Sequence, residues 1–173
     1  MFDQLLAIAT AVPAIMSAAE APADYAHWGA NALVLGCTLL LAVACILLHY
    51  TGLDWTWRYL DPRLGARRHR RVLYGVLAAM ALHIAQIWLF GLGYWSLAHW
   101  PETGHILGAQ PLSLLDAVYL SAACFTTVGF GDLAPKGALR FMAGTESLTG
   151  FLLITWSASF TYLEMDRFWR RKA

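Results

Sequence analysis

Three stretches of the chain are apolar for long enough to cross a lipid bilayer, and a fourth is apolar but too short. Residues 31–50, NALVLGCTLLLAVACILLHY, carry no charge before His49. At a rise of 1.5 Å per residue, about 20 helical residues match the thickness of one hydrocarbon core. Residues 72–95, VLYGVLAAMALHIAQIWLFGLGYW, predict a second span interrupted by His83 and Gln86, and residues 139–163, LRFMAGTESLTGFLLITWSASFTYL, a third with Arg140 near its start and Glu146 further in. The stretch 112–125, LSLLDAVYLSAACF, is too short to span and predicts a buried or re-entrant helix. The segment MFDQLLAIATAVPAIMSAAEA at the start leaves three readings open: an interfacial or packed helix, a signal peptide, or an extra span.

Composition fits a membrane protein. The chain has 173 residues, 59% hydrophobic and 13% charged, with eight tryptophans and seven tyrosines suited to membrane interfaces. Cys37, Cys45 and Cys124 lie in or beside apolar segments at no metal-ligand spacing and read as small buried hydrophobes. The net charge of +1 is uninformative, but its distribution is not. Arg58, Arg63, Arg67, Arg68, Arg70 and Arg71 lie between the first two spans, and Arg167, Arg170, Arg171 and Lys172 follow the last. The positive-inside rule puts both clusters in the cytoplasm and the N-terminus and residues 96–138 outside. Beside a span, RRHRR reads as a topology signal rather than a nucleic-acid patch, with anionic lipid headgroups as a partner for Arg67, Arg68, Arg70 and Arg71. No span carries the regular arginines of a voltage sensor, and no catalytic metal or nucleophile motif is present.

The remaining candidate chemistry is FTTVGFGDL, residues 125–133. A phosphate loop would follow a strand and lead into Gly-Lys-Ser/Thr; here a helix precedes the loop, and Asp132 would repel phosphate. β-Branched residues stiffen an extended backbone, and glycines at alternate positions allow dihedrals that point successive carbonyls the same way. Irregular backbone at membrane depth survives only when buried in protein or lining a water path. Stacked rings of such carbonyls replace the hydration shell of a cation, and because this chain holds one copy, a closed ring needs several chains.

TTVGFGD closely resembles the TTVGYGD signature of potassium-channel selectivity filters, and the resemblance runs from about Ser113 through the last apolar stretch, with the preceding span completing a two-transmembrane pore domain. With its additional N-terminal span, the chain resembles a group of small bacterial channels of this kind. The resemblance implies an all-α integral membrane protein of three transmembrane helices, with a re-entrant pore helix (113–125) and filter (126–132) between the last two, assembled as a fourfold homotetramer in the bacterial inner membrane. Thr127, Val128, Gly129 and Phe130 would bind K+, the permeant ion, with no other cofactor. Thr126, Gly131, Asp132 and Tyr119 would support the filter. Phe130 stands where tyrosine is commonest, and the pore helix lacks the paired tryptophans of many relatives, which puts Tyr119 where it would bond Asp132. Gly150 falls at the family's hinge, with close helix packing as the alternative. Glu146 would either bond the pore helix or a neighbouring chain, or titrate as part of a gate. His83 and Gln86, on one face of a helix, would bond across helices or sense pH. A non-selective channel, a transporter subunit, a membrane enzyme and a non-conducting subunit are the competing readings.

Overall fold

The computed structural model describes residue 25 and residues 27–63 and 69–170. The expectations for residues 1–20 and for Arg67 and Arg68 lie outside the described residues.

Helix α1, Trp28–Arg63, has 36 residues. It is longer than the span expected over 31–50, because nothing in TGLDWTWRYLD breaks a helix before Pro62, and Arg58 pairs with Asp54 one turn away at 2.9 Å. Residues 51–63 thus continue α1 and residues 69–71 already belong to the next helix, on either side of residues 64–68. Helix α2 runs His69–Ala98, a short 3-10 turn covers Pro101–Thr103, and α3 spans Leu114–Phe125. Helix α4, Leu139–Arg170, has 32 residues. Two short strands, β1 (Ile106–Leu107) and β2 (Ala134–Pro135), pair antiparallel and tie together the segments before α3 and after the glycine loop.

By length and composition, Trp28–Thr56 and Val72–Ala98 can cross a membrane, with mean hydropathies of 2.5 and 1.8. Helix α4 is as long but less apolar, so the third expected span does not meet that standard. The cause is a series of hydroxyl residues. Ser147, Thr149, Thr155, Ser159 and Thr161 each donate to the carbonyl four residues earlier, at 2.8–2.9 Å. These bonds satisfy the hydroxyls inside their own helix.

Helix α3 is cradled by α2 and α4, and α1 packs against both of those. The core joins Phe90 and Tyr94 of α2, Leu120 and Phe125 of α3, Leu139, Met142 and Leu153 of α4, and Val34 and Cys45 of α1. Close approach depends on glycine at two places. A Cβ on Gly91 would press on the Val118 backbone at 2.8 Å, and one on Gly150 would collide with the Phe125 carbonyl oxygen.

Candidate functional site

Helix α3 is anchored at its start by a reciprocal cap: Asp116 N–H donates to Ser113 Oγ at 3.1 Å, and Ser113 N–H donates to Asp116 Oδ2 at 3.1 Å. Its last carbonyls hold the start of the glycine loop. Thr126 N–H bonds the Ala122 carbonyl at 3.1 Å, Thr127 N–H the Cys124 carbonyl at 2.9 Å, and Gly129 N–H the Ala123 carbonyl at 3.1 Å. Beyond them the backbone alternates in hand. Thr127, Gly129 and Gly131 have φ of 60°, 56° and 82°, every second residue in the left-handed region. An ordinary strand alternates its carbonyls, whereas a reversal at every second residue turns successive carbonyls toward one side. Sequence reasoning assigned this freedom to the glycines; that Thr127 shares it was missed. Positive φ at a β-branched residue is a strained conformation costing on the order of 1–3 kcal/mol, and such strain concentrates at functional positions.

The loop is exposed within one chain. Val128 is 56% exposed and Phe130 69%, and an added Cβ at Gly129 or Gly131 meets nothing within 4 Å. Support comes from one side. Tyr119 Oη donates to Asp132 Oδ2 at 2.9 Å, the contact anticipated from the sequence, and the Tyr119 and Phe130 rings stack at 6.2 Å. The bond to Asp132 holds the Tyr119 phenol above its ordinary pKa, so the hydroxyl stays a donor.

Glu146 is fully buried behind α3. Tyr94 Oη of α2 donates to its Oε2 at 2.8 Å, and Ser121 Oγ of α3 lies 2.5 Å from its Oε1. Ser121 Oγ also lies 2.8 Å from the Ile87 carbonyl oxygen, which can only accept. One serine proton cannot serve both, so all three bonds are satisfied together when Glu146 is a neutral acid donating to Ser121. The carboxyl thus bridges α2, α3 and α4. Tyr94 and Ser121 were not singled out in the sequence, which offers no signal for which hydroxyls a buried acid will meet.

Gly150 faces the Phe125 carbonyl, at the junction of α3 with the loop, and a side chain there would push on the loop's base. His83 and Gln86 do bond across helices. His83 Nδ1 lies 3.1 Å from Gln86 Oε1, Gln86 Nε2 lies 3.2 Å from His49 Nδ1, and Ser157 Oγ lies 3.1 Å from both His49 Nε2 and His83 Nε2. His49 and Ser157 were also missed, since their pairing depends on helix rotation and not on spacing. Among the described residues no cluster of three or more His, Cys, Asp or Glu could hold a metal ion.

Residues 78–163 match the family described as "Ion channel". The chain is 27% identical over 146 residues to Protein LctB of Geobacillus stearothermophilus, covering 83% of this chain and 98% of that one. It is 31% identical over 133 residues to Protein LctB of Bacillus caldotenax, covering 75% and 88% respectively. No solved structure matches it significantly.

Proposed function

The chain belongs to the ion-channel family, and from that premise we propose that it is a potassium-selective channel. K+ passes down its gradient through rings of backbone carbonyls from Thr127, Val128, Gly129 and Phe130. The observation that carries the reading is the left-handed backbone at every second position, 127, 129 and 131, within the sequence TTVGFGD. A single chain supplies one wall of such a site and leaves it open, so four copies close it around one axis. In that assembly α2 is the outer helix, α3 the re-entrant pore helix and α4 the inner helix. The hydroxyl-rich character of α4 suits a helix that borders a water-filled cavity rather than lipid alone. The C-terminal end of α3 carries a partial negative charge and, aimed at that cavity, favours a cation waiting beneath the filter. Basic residues put the ends of α1 and α4 at the cytoplasmic face of the inner membrane, where Arg67, Arg68, Arg70 and Arg71 meet anionic lipid.

The test is flux through liposomes containing the purified full chain. A potassium gradient is compared with a sodium gradient, with and without barium, beside Gly129→Ala as control. Barium-sensitive potassium flux that is absent in the control supports the proposal. Equal sodium and potassium flux refutes selectivity, and absence of flux in both gradients refutes a self-sufficient channel.

A further inference from the structure

The four side chains His49, Gln86, His83 and Ser157 form a closed ring, and the hydrogens in that ring can be counted. Gln86 Nε2 lies 3.2 Å from the Cys45 carbonyl oxygen, which only accepts, so the amide nitrogen points toward α1 and Oε1 toward His83. His83 must then carry its proton on Nδ1 and donate to Gln86 Oε1. Its Nε2 is left as an acceptor for the Ser157 hydroxyl. Ser157 Oγ in turn accepts from His49 Nε2–H, and His49 Nδ1 accepts from Gln86. Every donor meets one acceptor, each imidazole has one tautomer, and both are neutral. Three of its members are buried, His49 and Gln86 at 0% exposed and Ser157 at 8%, and His83 is half-buried.

A proton added to either imidazole breaks this count. On His49 Nδ1 it would face the Gln86 amide donor; on His83 Nε2 it would face the Ser157 hydroxyl and displace its proton. The two rings stack with centroids 5.2 Å apart, so two charges are excluded. The groups facing the pair are Cys45 on α1, the Phe125 ring on α3, and Trp156 and Ser157 on α4, while Glu146 is engaged with Tyr94 and Ser121. On one side the ring is open: His83 and Ser157 line a largely apolar groove of about 570 Å3 that also reaches Phe125 and Thr126 at the base of the loop.

We infer that this ring is a proton-operated clamp fastening the additional helix α1, through α2, to the second half of α4. The closed ring excludes a proton that a solvated histidine would accept. The clamp is therefore fully populated above the ordinary titration range of histidine and is lost as pH falls through it. Release frees α4 beyond Gly150, and flux rises. This last consequence rests on the channel reading; the clamp itself does not.

Two measurements on the full chain in liposomes test it. Nitrogen-15 spectra of histidine-labelled protein, with the pair assigned by His49→Asn and His83→Asn, should show at pH above 7 one neutral imidazole protonated on Nδ1 (His83) and one on Nε2 (His49). Acidification should replace that pattern with a single charged ring. Potassium flux should rise about tenfold over the same pH interval, a coupling of ordinary size. Ser157→Ala should carry the acid-level flux at neutral pH and lose the response, and Ser157→Thr should restore it. Identical tautomers, a histidine of the pair charged at neutral pH, flux that falls or stays flat on acidification, or an unaltered response in Ser157→Ala would each overturn the clamp. Absence of potassium flux at every pH would refute the channel reading instead, and the spectra would then decide the clamp alone.

Discussion

Gly150→Ala separates two roles that a glycine in the middle of α4 could have. If its purpose is to let the helix bend, alanine improves the helix by about 1 kcal/mol, so the protein becomes more stable while opening less often. If its purpose is contact, alanine places a methyl group against the Phe125 carbonyl oxygen, a backbone atom that cannot rotate aside. Overpacking of that kind costs about 1–3 kcal/mol. A rigid partner argues for the upper end, and after the propensity gain a net loss of about 2 kcal/mol remains. Gly144, six residues earlier on α4, is the internal control, because a Cβ there meets nothing within 4 Å. Gly144→Ala should therefore gain about 1 kcal/mol, and the two variants should differ by about 3 kcal/mol. For a chain of 173 residues, 2 kcal/mol corresponds to a fall in melting temperature of about 4–8 °C. Thermal unfolding in detergent, followed by labelling of the fully buried Cys45, reads this directly. Because Phe125 leads straight into Thr126 and Thr127, Gly150→Ala should also lower potassium flux. A Gly150→Ala protein that melts at or above the wild-type temperature would refute the contact argument and favour bending.

Other perturbations follow from the same geometry. Glu146→Ala leaves the buried Tyr94 and Ser121 hydroxyls without their shared partner, which should cost about 2–5 kcal/mol. Glu146→Gln keeps a carbonyl oxygen for Tyr94 and an N–H for Ser121, as a neutral acid would, and should be far less damaging than Glu146→Ala; equal damage from both substitutions in thermal unfolding would argue for an ionised carboxylate. Tyr119→Phe removes the bond to Asp132, worth about 1 kcal/mol, and should hasten the loss of current during sustained opening. Unchanged decay kinetics would show that this bond does not brace the loop.

Periodicity and length made the helices legible, and the sequence TTVGFGD made the loop legible, because both are local properties. The Tyr119–Asp132 contact was also readable, through the resemblance, which puts Tyr119 where a tryptophan of many relatives would bond the filter aspartate. Less legible were features that depend on how helices rotate against one another. Glu146 announced itself as an acid in an apolar stretch, but its partners sit 52 and 25 residues away. His49 looked like the end of a span and proved to be the centre of a cross-helix ring whose serine partner is 108 residues on. The weaker apolarity of α4 had a different cause. Hydroxyls that bond their own helix lower hydropathy without exposing unsatisfied groups, so composition alone understates what such a helix tolerates.

The exposure of the loop makes assembly and conduction a single question. A strained Thr127, open space at Gly129 and Gly131, and largely exposed Val128 and Phe130 are unfavourable in an isolated chain. On the proposed channel reading, other copies and dehydrated ions occupy the space in front of them, and the closed ring should then be stabilised jointly by partner chains and by K+. Mixing makes this measurable. Gly129 holds a φ of 56°, so Gly129→Ala strains the backbone by about 1–2 kcal/mol without touching any neighbour. Such a chain should still assemble but spoil the ring it joins. If four chains share one ring, equal co-expression of wild-type and Gly129→Ala chains leaves about one sixteenth of assemblies intact, given random mixing within a closed symmetric oligomer. Potassium flux per chain should fall by about that factor rather than by half. A fall of only half would mean that each chain conducts alone, and the argument from the exposed loop would be wrong.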